Sequence, residues 1–74
     1  MSIGAERVRE TFNPSGDSLV DKFKRYTADL IDLCNDERSK TNDVEASRLW
    51  ALAMTAYEEG CMWAVKAATA KVSQ

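Results

Sequence analysis

The sequence predicts an all-α protein, an antiparallel helical hairpin with a short N-terminal arm. Three observations carry that expectation. Two long stretches repeat apolar residues every three or four positions. A polar run divides them, and the single proline stands ahead of the first. With 74 residues, one domain spanning 1–74 is the ceiling.

Residues 1–16 are read as arm and turn, ending in Phe12-Asn13-Pro14-Ser15-Gly16, a run of turn formers. The first helix is expected over residues 17–38. Asp17 or Ser18 can cap it, because a short oxygen side chain accepts a free first-turn N–H. Leu19, Phe23, Thr27, Leu30 and Cys34 then recur at helical spacing, and Val20 and Ile31 broaden the stripe. Asp21, Lys22, Arg25, Asp29 and Asp32 are expected mostly towards water. A turn over residues 39–43 follows. Asn42, with Glu45 three positions on, resembles a capping box.

The second helix is expected over residues 43–70. Leu49, Ala53, Ala56, Gly60, Trp63, Ala67 and Ala70 alternate spacings of four and three, a heptad seam of mainly small residues. Trp50, Met54, Tyr57, Cys61, Ala64 and Ala68 run beside it, and Leu52, Met62 and Val65 lie on further faces. One preceding helix shields only one side of such a rod, and the remainder is an interface-sized apolar surface. Homo-oligomer contacts are therefore expected along this helix, with Trp50, Tyr57 and Trp63 as anchors. Gly60 costs roughly 1 kcal/mol relative to Ala in mid-helix, which points to a close helix crossing there. Size argues the same way, since a chain this short buries only about 60% of its unfolded surface.

Composition excludes several function classes. A net charge of −2 speaks against a general DNA or RNA binder, and no uncharged run is long enough to span a membrane. The charged start, MSIGAERVRE, lacks a secretory core, which points to a reducing cytosol with Cys34 and Cys61 as free, buried thiols. With no histidine and two separated thiols, neither a structural metal nor a cofactor is expected. Histidine is also the commonest general base, no Gly-rich phosphate loop is present, and the side chains of Glu58 and Glu59 diverge by about 100°. An enzyme is not expected.

Positive charge gathers at Arg7 and Arg9 and again at Lys22, Lys24 and Arg25, with Phe12 between them in sequence. An aromatic ring beside cations can stack a base while the cations meet phosphate. The alternative is that Phe12 packs on the hairpin and the lysines are solvated.

Two stretches extend this reading. Residues 55–69, Thr55-Ala-Tyr-Glu-Glu-Gly-Cys-Met-Trp-Ala-Val-Lys-Ala-Ala-Thr69, resemble the C-terminal helix of the bacteriophage anti-CBASS type 2 family, whose hairpin is shared with a Thoeris anti-defence protein. Phe12-Asn-Pro-Ser-Gly, with Val20, Lys24 and Leu30-Ile31-Asp32, resembles its N-terminal half. The resemblance implies a compact homohexamer in the host cytoplasm that sequesters cyclic oligonucleotide messengers of CBASS immunity without cleaving them. It places Phe12, Asn13 and Lys24 at a cyclic dinucleotide site between two protomers. It places Arg48 and Thr55 at a cyclic trinucleotide pocket where three protomers meet. The family often has Tyr followed by Arg or Lys where this chain has Phe12 and Asn13, so a phenolic hydroxyl and one cation are missing. Lys66 matches a position usually basic in the family and has two open roles, ligand contact or an inter-subunit ion pair with Glu58 or Glu59. Three alternatives stand beside this one: a helical module that binds a host protein, a structural assembly factor, and a sponge for cyclic ADP-ribose isomers.

Overall fold

The two amphipathic stretches close into a hairpin because each carries a stripe that only the other can cover. In the computed structural model, which describes residues 2–8 and 18–70, the helices are α1 (Ile3–Val8), α2 (Ser18–Lys40) and α3 (Val44–Thr69). Among the described residues there is no strand. Ile31 and Met54 are fully buried between α2 and α3, flanked by Ala28, Cys34 and Cys61. Side chains of that size each stabilise the fold by about 1.5–3 kcal/mol when removed from water. The antiparallel register is marked at both ends. The Cys61 thiol donates to the Phe23 carbonyl (3.9 Å), and Arg38 Nε donates to Ser47 Oγ (3.1 Å). Cys34 lies eleven residues, about 16 Å, along α2 from Phe23, so the two free, buried thiols are far apart.

Three details differ from the sequence expectation. The arm is not irregular throughout, because residues 3–8 form α1. Six residues cannot hold a helix alone, and α1 survives by docking. Ser2 Oγ accepts the Ala5 N–H (3.0 Å), Val8 is buried in the core, and Ile3 packs against it. Asp32 does not simply face water, since its Oδ1 accepts the Gly4 N–H at 2.7 Å. The third difference is the cap of α3. Asp43, not Asn42, is the N-cap; its Oδ1 accepts the Glu45 N–H (3.2 Å), while the Glu45 side chain turns to Arg48. Asp17 lies outside the described residues.

Helix geometry divides the hairpin into two faces. At about 100° per residue, Ala28 and Asp32 on α2 and Glu58, Met62 and Val65 on α3 fall on one side of the α2–α3 plane. That side carries α1. Gly4 makes the contact possible, because a Cβ there would collide with the Ala28 carbonyl oxygen. The opposite face holds Leu19, Phe23, Tyr26, Leu30 and Leu33 of α2, all exposed on the single chain. The stripe read from sequence is therefore split: Val20, Thr27, Ile31 and Cys34 point inward, while Leu19, Phe23 and Leu30 lie about a quarter turn away and stay bare. On α3 the same face carries Leu49, Ala53, Tyr57 and Gly60. The second seam read from sequence is the one that supplies Met54 and Cys61 to the core. The Cα trace measures 51 × 24 × 12 Å, too thin to enclose both faces.

Candidate functional site

The candidate ligand residues fall into separate regions along the hairpin. Lys24 sits half-buried near the open end of α2, one residue beyond Phe23. It lies one turn before Ala28, on the side that α1 covers. Phe12 and Asn13 lie outside the described residues, in the stretch joining Val8 to Ser18. Beside this end a groove of about 180 Å³ runs between α1 and α3, lined by Arg7, Val8, Glu58, Cys61, Met62 and Val65. Arg7 Nη1 and Glu58 Oε1 stand 3.5 Å apart at its edge. That pair ties Arg7 to α3.

Arg48 belongs to the other end. It is exposed near the start of α3, thirteen residues and about 20 Å of helix rise from Cys61. With Ser47, Arg38, Thr41 and Asn42 it lines an open hollow of about 520 Å³ over the hairpin turn. Its guanidinium grips Glu45 with both arms, Nε to Oε1 at 2.9 Å and Nη2 to Oε2 at 2.7 Å. The hydrogen bonds from Arg48 hold the Glu45 carboxyl below its ordinary pKa, and the same contact raises that of Arg48. A phosphate at Arg48 would have to compete with that carboxylate.

Thr55 follows Arg48 by two turns, about 10.5 Å, on one face of α3. It is exposed, and its hydroxyl donates to the Ala51 carbonyl at 3.3 Å, which leaves the hydroxyl oxygen able to accept. Lys66 extends the same face, with Nζ 5.2 Å from the Trp63 ring centroid, a cation–π distance. Within the chain Glu58 meets Arg7, and Glu59 Oε2 accepts from Trp63 Nε1 at 3.4 Å.

Lys24 and Arg48 thus sit towards opposite ends of the hairpin, and Thr55 lies about 100° around α3 from the buried Met54. A single chain does not gather them into one pocket. The sequence reading missed the Asp32–Gly4 bond and the Arg7–Glu58 pair. The one local signal for α1 was Ser2, placed to cap a turn ending in apolar Val8. Among the described residues no three Cys, Asp or Glu side chains group as a metal site. No helix among them is long and apolar enough to cross a membrane.

A family model, the Acb2/Tad1 hairpin domain, matches residues 3–69, which takes in α1, α2 and α3. No curated protein and no solved structure matches the chain. The matched span is most of the chain and contains every element described above, so this protein belongs to the Acb2/Tad1 hairpin family, whose members are phage anti-defence sponges for cyclic nucleotides.

Proposed function

We propose that this protein is a homohexameric sponge that captures and sequesters cyclic di- and trinucleotide messengers of CBASS immunity in the host cytoplasm without cleaving them. The observation that carries the proposal is family membership over residues 3–69. The positions of Lys24, Arg48 and Thr55, apart on one chain, favour sites shared between protomers. In this reading Phe12, Asn13 and Lys24 hold the dinucleotide between two protomers. Lys24 supplies charge and Phe12 a stacking face. Arg48 and Thr55 meet trinucleotide phosphates, with Glu45 yielding its place on the guanidinium. Inhibition then follows from mass action: the captured messenger does not reach its effector.

The test is native mass spectrometry with a mixed panel of cyclic dinucleotides, cyclic trinucleotides and cyclic ADP-ribose isomers, followed by heat release and chromatography. The reading expects at least one cyclic di- or trinucleotide bound and recovered intact. Capture of cyclic ADP-ribose isomers alone would redirect the ligand class, and a degraded product would overturn the non-cleaving mechanism. Lys24→Ala should weaken cyclic dinucleotide binding about tenfold or more, the range expected for a lost charged hydrogen bond, with assembly mass unchanged. If no cyclic nucleotide binds and a host protein is retained instead, the sponge reading falls.

A further inference from the structure

Two guanidinium groups line one hollow at the hairpin turn, and they are held differently. The hollow, of about 520 Å³, takes Arg38 from the last turn of α2 and Arg48 from α3, with Asn42 and Ser47 also on its wall. Arg48 has its fork on the Glu45 carboxylate, at 2.9 and 2.7 Å. Arg38 is held by a neutral group instead. Its Nε donates to Ser47 Oγ at 3.1 Å, and among the described residues no carboxylate pairs with it. That bond uses one N–H and leaves both Nη groups to donate elsewhere. It also crosses from α2 to α3 and ends on the residue next to Arg48. The neighbouring cation, Lys40, is a contrast: its Nζ meets Glu37 Oε2 at 3.3 Å, and it does not line the hollow.

The hollow leads towards the other phosphate candidate. Ala51 lines it, and the Ala51 carbonyl accepts from the Thr55 hydroxyl at 3.3 Å. Ser47, Ala51 and Thr55 follow one another at four-residue spacing, which puts them on one face of α3. Arg38 therefore stands at the head of a line that contains Arg48 and Thr55. Asp43 is the carboxylate on the wall, and its Oδ1 is turned to the Glu45 N–H as the helix cap.

We infer that Arg38 is a further ligand residue: its unused Nη donors and the Arg48 fork clasp the same phosphodiester of a cyclic trinucleotide over the hairpin turn. A guanidinium is charged at every working pH, and its planar fork matches two phosphate oxygens. Arg38 has no carboxylate to give up, so it meets the phosphate first. Its charge then offsets what Arg48 loses in leaving Glu45. The inference rests on the trinucleotide part of the function proposed above and is independent of the Lys24 site.

The test is calorimetric titration of the full chain with cyclic triadenylate, and with cyclic GMP–AMP as the dinucleotide comparison. Arg38→Gln, Arg38→Lys, Arg48→Gln and the control Lys40→Gln are titrated alongside, with assembly mass and melting temperature recorded for each. Arg38→Gln should weaken cyclic triadenylate binding about tenfold or more, the range for a lost hydrogen bond to a charged group. Arg38→Lys, which keeps the charge and loses the fork, should weaken it by a smaller factor. Neither should change cyclic GMP–AMP binding or the assembly mass. Lys40→Gln removes the same charge two residues away and should leave both affinities as they were. If Arg38→Gln lowers the mass or the melting temperature, Arg38→Lys decides, because it keeps a cation at the negative end of α2; unaltered affinity in that variant then overturns the inference. Equal losses in Arg38→Gln and Lys40→Gln would reduce the effect to net charge and overturn it too. A loss in Arg48→Gln with none in Arg38→Gln overturns it while leaving the trinucleotide pocket standing. If the unaltered protein captures no cyclic triadenylate, the trinucleotide part of the proposed function falls and the role of Arg38 falls with it.

Discussion

The two faces of the hairpin are built from the same helices and differ in what meets them, and two glycines show the difference. At Gly4 the backbone of α1 lies directly on the Ala28 carbonyl of α2, its N–H bonded to Asp32. The absence of a side chain has an immediate intramolecular cause. Gly60 carries the same helix penalty of about 1 kcal/mol relative to Ala, yet nothing approaches its Cβ position within 4 Å. One face is closed by the chain's own short helix. The other exposes Tyr26, Leu30 and Leu33 to solvent unless another chain covers them. A small residue thus reports a close neighbour, and the sequence does not say which molecule supplies it.

The strongest way to break this contrast is at Gly4. Gly4→Val should force α1 away from Ala28, free Val8 from the core and cost about 1–3 kcal/mol, the range for an overpacked site, measured by chemical denaturation. A change near zero would mean that α1 contributes nothing to the closed face.

Gly60→Ala sharpens the contrast through the sign of its effect. Alanine is the better helix former, so an isolated hairpin should gain about 1 kcal/mol. An assembly in which another helix sits against Gly60 should instead lose roughly 4 °C in melting temperature. A higher melting temperature would place Gly60 in open space within the assembly too.

The smallest effect belongs to the exposed Glu45–Arg48 pair, away from both faces. Because Arg48 holds the Glu45 carboxyl below its unfolded value, the pair's contribution is present at neutral pH and is lost as pH falls through that lowered value. Exposure keeps it small. Carboxyl chemical shifts followed by NMR should show Glu45 titrating below an ordinary glutamate, and Arg48→Ala should return it to the usual range.

Much of the hairpin was legible because two stretches of helical period are long enough to average over local exceptions. The helices end two residues later for α2 and one residue earlier for α3 than read from sequence, at Lys40 and Thr69. The phase of α2 was harder. Leu19–Phe23–Leu30 and Val20–Thr27–Ile31 run side by side about 100° apart, and periodicity alone does not say which row meets α3. Helix α1 escaped notice because six residues are shorter than any window in which period can be judged, and its decisive bond comes from Asp32, 28 positions away. The candidate site is legible only in pieces. Lys24, Arg48 and Thr55 stand where helical spacing puts them, but a single chain does not gather them into one pocket.

Sedimentation velocity across a dilution series into the low micromolar range tests most directly whether the uncovered face meets its own copy. The account predicts a concentration-stable species several times the 8.3 kDa chain mass. A single species at 8.3 kDa would contradict it.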